Sequence, residues 1–109
     1  MTGEMGPEGR ERERSAVAKL RDAGAVLVGP NCLGVADTST DLLAVAYLEV
    51  ERGPIGLISQ SGGFGEELSL RMREFGLGFS RFVALGNQAD VSAADILRSF
   101  ARSLREAAR

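Results

Sequence analysis

The chain has 109 residues, of which 44% are hydrophobic and 26% charged, and its formal net charge is −2. This composition is typical of one small folded domain and excludes a strongly basic nucleic-acid binder. No apolar run approaches the ~20 residues of a membrane span. One cysteine and no histidine exclude an internal disulfide and the usual zinc sites, so we expect no metal and a cytoplasmic location.

The amino-terminal part predicts a helix from Pro7 to Ala23, ended by Gly24. Proline fits the first turn of a helix, because its missing N–H has no partner there, and glycine fits the position after the last turn. The charge run at residues 8–14 indicates a solvated face without a binding role. The positions four residues after Glu11 and Arg12 are uncharged, so we expect no ion pairs at those spacings.

Residues 25–28 predict a short strand that ends in a loop at residues 29–34. Pro30 cannot donate to a ladder, so the strand must stop there or lie at an edge. Asn31 and Cys32 then lie beyond the carboxyl end of the strand, where ligands collect in open α/β sheets. Cys32 is either a small buried filler or a loop residue near a ligand. Without a histidine or nearby cations, it is not expected to act as a nucleophile.

The middle of the chain predicts a turn at residues 36–41, a strand within residues 42–50 and a central strand at residues 55–58. A small-residue turn at residues 59–63 follows and leads into a helix that ends at Gly76. The helix is predicted from one apolar stripe with helical spacing, formed by Phe64, Leu68, Met72 and Phe75.

The turn after the central strand is the first candidate site. Unpaired amides and the helix dipole favour an anion at such a helix start, and glycine lets the anion approach closely. The alternative is that the turn only connects a strand to a helix. It is neither a Walker loop nor a nucleophile elbow, since no Gly-Lys-Ser/Thr and no histidine are present. The candidate phosphate-binding residues are Ser59, Gln60, Ser61, Gly62 and Gly63.

The carboxyl-terminal part predicts a strand at residues 79–85, a loop at residues 86–90 and a helix capped by Ser92 with Asp95. The apolar stripe of this helix comprises Ile96, Leu97, Phe100 and Leu104. The alternation of strands and helices predicts an α/β protein, with a parallel sheet and helices on its faces.

Three loops, at residues 29–34, 59–63 and 86–91, each follow a predicted strand. In this order and spacing they resemble the nucleoside-diphosphate-forming acyl-CoA synthetases, which comprise the ADP-forming acetate–CoA ligases and the succinyl-CoA synthetase α subunits. The resemblance implies that residues 1–35 are the end of a CoA-binding Rossmann-like domain. It implies that residues 36–109 are the first part of a succinyl-CoA-ligase-like flavodoxin domain.

The resemblance also implies a reaction, in which a carboxylic acid is joined to CoA while ATP is cleaved, through an acyl phosphate and a phosphohistidine. Residues 59–63 match the turn that opens a helix facing that histidine. The family's CoA loop matches Pro30, Asn31 and Cys32. CoA and ATP or ADP are the implied ligands of the parent enzyme, and none is certain for this chain. An ATP-grasp subunit or domain, the remaining segments, or a second copy are the implied partners.

Several family features are missing from the chain. The CoA-binding glycine loop, the nucleotide-grasp domain and the phosphohistidine are absent, and the sequence contains no histidine. We therefore expect a fragment, a split gene product or a mis-started reading frame, with no catalytic residue and no ligase turnover of its own. Two alternatives stay open: a ligase-like sensing part of a protein acetyltransferase, and a generic phosphate-binding flavodoxin-like module.

Overall fold

The computed structural model describes residues 6–108, which form three helices and four strands. No helix within this range is long and apolar enough to cross a bilayer. In chain order the elements are α1 (Pro7–Asp22), β1 (Gly34–Asp37), β2 (Leu42–Val45), β3 (Arg52–Ser59), α2 (Gly62–Glu74), β4 (Phe79–Ala84) and α3 (Ala93–Ala107).

The four strands form one sheet in the order β2-β1-β4-β3. The pair β3 and β4, joined through α2, is parallel, as the sequence predicts. β1 runs antiparallel to both β2 and β4, so the sheet is mixed rather than entirely parallel. Only four residues join β1 to β2, which permits a hairpin but is far too short for a parallel crossover. The predicted α/β class is confirmed, and the β1–β2 hairpin is a feature that the sequence did not predict.

Three predicted elements need correction. Residues 25–28 form no strand, because the Ala25 N–H donates to the Leu20 carbonyl of α1 and Leu27 bonds to the loop after β4 rather than to the sheet. Residues 36 and 37 belong to β1 and not to a turn, and the turn occupies residues 38–41. The strand predicted within residues 42–50 ends at Val45.

The core lies mainly on one face of the sheet. Phe79 and Phe82 of β4 are fully buried and meet edge to face, with ring centroids 6.0 Å apart. Leu57 of β3 and Met72 of α2 pack against this cluster. Gly56, the neighbour of Leu57, contacts the ring of Phe100 in α3. Because consecutive strand residues point to opposite faces, α2 and α3 cover opposite faces of β3.

The stripe predicted for α2 is only half right. Phe64 is 61% exposed and Phe75 is 79% exposed, while Leu68 and Met72 are half-buried. The residues of α2 that face inward most closely are Gly65 and Ser69. A Cβ on Gly65 would lie 2.8 Å from the Phe82 ring, so the absence of a side chain lets the helix approach the sheet.

The predicted start of α3 is confirmed. The Ser92 hydroxyl accepts from the Asp95 N–H, and the Asp95 carboxylate accepts from the Ser92 N–H. In its predicted stripe, Ile96 and Phe100 are half-buried, whereas Leu97 and Leu104 are exposed.

Helix α1 covers the predicted range and is largely solvated, but ion pairs do form on its surface. The Arg12 guanidinium lies 2.7 Å from the Glu8 carboxylate, one turn earlier. Arg14 pairs with Glu11. Glu8 lies four residues before Arg12, and Arg14 lies three residues after Glu11, so neither pair has the forward spacing of four that was considered from Glu11 and Arg12.

Candidate functional site

The three loops singled out in the sequence come together at the carboxyl ends of β3 and β4. The Gly86 N–H donates to the Gln60 carbonyl at 3.1 Å, and the Asn87 N–H donates to the Pro30 carbonyl at 2.9 Å. The Ala89 N–H donates to the Gly29 carbonyl at 2.9 Å. The loop at residues 86–91 therefore lies between the other two loops and is bonded to both.

Gly86 makes this close meeting possible. Its φ angle is +56°, in the left-handed region that favours glycine. A Cβ at this position would lie 2.3 Å from the carbonyl oxygens of both Pro30 and Asn31. Any side chain would force these loops apart, so this glycine sets the distance between two walls of the candidate site.

An open cleft of about 390 Å³ lies beside the start of α2. Six of the eight residues predicted for a site line it, and they come from two different loops. The cleft is lined by Asn31, Cys32, Leu33, Ala46, Tyr47, Gln60, Ser61, Gly62 and Gly63.

The other two predicted residues, Ser59 and Pro30, lie behind the cleft. Ser59 is buried, and its hydroxyl donates to the Ser61 carbonyl at 2.7 Å, so it stabilises the backbone of the turn. Pro30 does not line the cleft, and its carbonyl accepts the N–H of Asn87. Both residues support the backbone of the loops that the other six belong to.

Ser61 begins α2 as its N-cap. Its backbone is extended, and its hydroxyl oxygen accepts from the Phe64 N–H at 3.2 Å. The amides of Gly62 and Gly63 belong to the first turn, where no earlier carbonyl is available inside the helix. The first turn of α2 contains no acidic side chain. The partial positive charge of the helix start therefore faces the cleft without a carboxylate of its own helix to offset it.

The two glycines of this turn have different roles. A Cβ on Gly62 would lie 2.9 Å from the Leu33 Cβ, so Gly62 lets the loop at residues 29–34 pack against the helix start. A Cβ on Gly63 would have nothing within 4 Å. Gly63 therefore lines the cleft and has room for a side chain.

The opposite wall is formed by Asn31 and Cys32. Asn31 has a φ angle of +54°, a left-handed conformation that asparagine tolerates better than most residues. The Cys32 thiol is half-buried and donates to the Val28 carbonyl at 3.6 Å. This arrangement joins the two options left open for Cys32, because the side chain is partly packed and also borders the cleft.

Three lining residues, Leu33, Ala46 and Tyr47, were missed from the sequence. The β1–β2 hairpin brings them to the cleft, and the Ala46 N–H donates to the Leu33 carbonyl at 3.0 Å. The exposed Tyr47 side chain lies at the rim, on a residue with φ +61°. Nothing local marks this position, because it depends on a hairpin that the sequence analysis did not predict.

Asp90, in the loop after β4, bonds to the segment that leads into the Asn31–Cys32 wall. Its side chain is 5% exposed, and its carboxylate accepts from Arg21 Nε and from the Leu27 N–H, both at 2.9 Å. These bonds, those from Arg21 first, hold the pKa of Asp90 below its ordinary value. Asp90 therefore remains a carboxylate near neutral pH. Among residues 6–108, no group of three or more His, Cys, Asp and Glu side chains could hold a metal ion.

Comparison with known proteins places this site in context. A family model described as "Succinyl-CoA ligase like flavodoxin domain" matches residues 52–106. The α subunit of ADP-forming acetate–CoA ligase II from Pyrococcus furiosus is 34% identical over 99 residues, which are 91% of this chain and 22% of that protein.

Solved structures share the fold. A Pyrococcus horikoshii protein matches with a TM-score of 0.86 and 35% identity, over 92% of this chain and 23% of its own. A dinucleotide forming acetyl-coenzyme A synthetase from Ca. Korarchaeum cryptofilum, solved with phosphate and ADP, matches with a TM-score of 0.77 and 31% identity. That match covers 84% of this chain and 20% of the synthetase. The chain spans about a fifth of the length of these proteins.

Proposed function

The chain belongs to the family of succinyl-CoA ligase-like flavodoxin domains, and from this we propose that it is part of an ADP-forming acyl-CoA ligase. Such an enzyme joins a carboxylic acid to CoA while ATP is cleaved. The observation that carries the proposal is the cleft, where six predicted ligand residues from two separate loops meet at the start of α2. Relatives named as ADP-forming acetate–CoA ligases support the same reaction class.

Within this proposal, the start of α2 holds a phosphate group. The residues fit such a group, because the first turn of the helix lines an open cleft and contains no acidic side chain. The amides of Gly62 and Gly63 and the Ser61 hydroxyl hydrogen are the donors, and Gln60 borders the same space. Ser59 acts indirectly, by holding the Ser61 carbonyl.

CoA would meet the other wall of the cleft. Asn31 and Cys32 border the space directly, and Pro30 supports them through its bond to Asn87. We propose that residues 1–35 complete a CoA-binding domain and that residues 36–109 begin the flavodoxin-like domain. Only one wall of the CoA site is present, so CoA affinity for this chain alone is expected to be low.

The transfer of phosphate needs a nucleophilic carrier, which we propose to be a histidine outside this sequence, since the chain has none. The role of the α2 start is then to offset the negative charge of the phosphate that this carrier bears. The missing carrier and nucleotide site would come from further ligase segments or an ATP-grasp subunit or domain. We place this assembly in the cytoplasm, and no turnover is expected from the 109-residue chain by itself.

The phosphate site is tested by titrating the ¹⁵N-labelled chain with inorganic phosphate and following amide shifts. We expect saturating shifts confined to residues 61–63 and their neighbours across the cleft. Absence of localised shifts up to tens of millimolar phosphate would contradict the site.

Gly63 provides a matched pair of variants, because its Cβ position is open. Gly63→Asp places a carboxylate at the helix start, where it stabilises the helix but repels phosphate. Gly63→Asn is the isosteric neutral reference, so the ratio of the two affinities reports charge alone. We expect phosphate to bind about tenfold more weakly to the aspartate variant than to the asparagine variant. Equal affinities would place the anion elsewhere.

A further inference from the structure

We propose that Asp90 is a positioning residue, which holds the Asn31–Cys32 wall of the cleft in place. This inference rests on the proposed function only in taking that wall to contact a ligand. Asp90 itself does not line the cleft. The Asp90 carboxylate contacts two other parts of the chain: Arg21 near the end of α1, and the backbone N–H of Leu27.

The segment at residues 25–31 depends on these contacts because it belongs to no strand. The Ala25 N–H donates to the Leu20 carbonyl of α1, and the partners of residues 27–30 come from the loop after β4. The Val91 N–H donates to the Leu27 carbonyl at 3.1 Å, and the Ala89 and Asn87 N–H groups donate to the carbonyls of Gly29 and Pro30. The Asp90 carboxylate accepts the Leu27 N–H, so Leu27 is held to the loop after β4 through both its N–H and its carbonyl.

The position of Asp90 makes its charge important. Its side chain is almost fully removed from water, and it accepts at least three hydrogen bonds from two partners. Replacement by asparagine removes the charge and puts an N–H₂ group where Arg21 or Leu27 donates. A buried donor without an acceptor disfavours the closed arrangement. The segment then opens locally, and its end at Asn31 and Cys32 moves with it.

A second contact between α1 and the loop limits the effect to this region. The Asn87 side-chain N–H₂ donates to the Glu13 carboxylate at 3.0 Å. The sheet core does not include Arg21, Leu27 or Asp90. Loss of the Asp90 carboxylate should therefore loosen the wall while β3, β4 and their helices stay folded.

Cys32 gives a direct readout, because it is the only cysteine of the chain and lies on the wall in question. A thiol reagent such as dithionitrobenzoate modifies it faster when the segment opens. We expect Asp90→Asn to raise the modification rate about tenfold and Arg21→Gln to raise it about threefold. Arg21→Lys, which keeps the positive charge, should return the rate toward that of the unmodified chain.

Two matched controls separate positioning from general stabilisation. Asp37→Asn removes another partly buried aspartate, which pairs with Arg81 at 3.3 Å and lies at the end of β1 away from Leu33. Arg12→Gln removes another arginine of α1, in an exposed pair. Both should keep the Cys32 rate within about twofold of the unmodified chain.

Each outcome decides the proposal. Equal Cys32 rates in Asp90→Asn and Asp37→Asn, with folded far-UV circular dichroism spectra, would overturn it. If Asp90→Asn loses its folded spectrum, equal rates in the Arg21→Gln and Arg21→Lys variants would overturn it instead. The thiol measurement uses no ligand, so a failed phosphate titration would count against the proposed function and leave the positioning role supported.

Discussion

The sheet region at residues 34–85 and the amino-terminal region at residues 6–31 are held by different interactions. The sheet region contains the buried aromatic core around Phe79 and Phe82. In residues 6–31, only Gly9 and Gly29 are buried. That region is held instead by the bonds of Asp90 and Asn87 and by main-chain bonds to the loop after β4.

This difference bears on the cleft, because its two walls belong to the two regions. The start of α2 follows directly from the core strand β3, so we expect its backbone position to be as stable as that of the sheet. Asn31 ends the amino-terminal region and Cys32 follows it directly, so the Asn31–Cys32 wall depends on polar contacts. Bonds to the Asp90 carboxylate respond to pH, whereas buried apolar area does not. The phosphate side of the cleft should therefore be the more robust one.

The largest expected effect comes from the core. Phe82→Ala removes a fully buried ring that contacts Phe79 and Gly65, and it should lower the free energy of unfolding by about 3–5 kcal/mol. Urea denaturation followed by circular dichroism measures this change. Phe75→Ala is the control, since that ring is 79% exposed, and it should change stability by about 0.5 kcal/mol or less. Similar effects for both variants would contradict the assignment of the core.

Acid is expected to have an intermediate effect, on the local stability of the segment that Asp90 holds. The folded state lowers the pKa of Asp90 from its ordinary value of 3.8, chiefly through Arg21 and then the Leu27 N–H. Its stabilisation is therefore present above about pH 4 and is lost as the pH falls through the folded pKa. Amide exchange between pH 6 and pH 3 should show loss of protection at the hydrogen-bonded N–H groups of Leu27, Ala89 and Val91 before those of residues 82–84. Simultaneous loss in both regions would mean that the two are not separately held.

The smallest effect is expected on the outer surface of α1. Arg12→Ala breaks an ion pair whose two side chains are 62% and 79% exposed, and solvent screens such pairs. The free energy of unfolding should fall by no more than about 0.5 kcal/mol. Thermal unfolding of the variant and of the unmodified chain, compared in low and high salt, measures this. A loss of more than about 1 kcal/mol would show that α1 contributes more than the structure indicates.

The elements with strong local signals could be predicted from the sequence. Pro7 and Gly24 mark the limits of α1, and Ser92 with Asp95 forms the expected capping box at the start of α3. The small-residue turn after β3 does begin a helix, with Ser61 as its N-cap. These features depend on a few neighbouring residues, whose backbone preferences and capping bonds act within one turn.

The inward face of α2 was predicted less well. Counting large apolar residues selected Phe64 and Phe75, but both are exposed, and the helix meets the sheet through Gly65 and Ser69. A large ring on the sheet requires a small residue on the helix, as Gly65 and Phe82 show. Hydrophobicity along one segment carries no information about the size of the side chain that faces it.

The sequence by itself indicated two of the segments that meet at the cleft, since six of the eight proposed ligand residues line it, but it did not indicate Leu33, Ala46 or Tyr47. Tertiary structure decided their roles: Ser59 and Pro30 lie behind the cleft, Tyr47 joins its rim, and Asp90 bonds to the segment that leads into one wall. It also decided that residues 25–28 bond to a loop while β1 forms a hairpin within a mixed sheet. The physical reason is distance along the chain. Caps and turns are set by neighbouring residues, whereas strand partners and buried ion pairs join residues tens of positions apart, and only the packed chain brings these together.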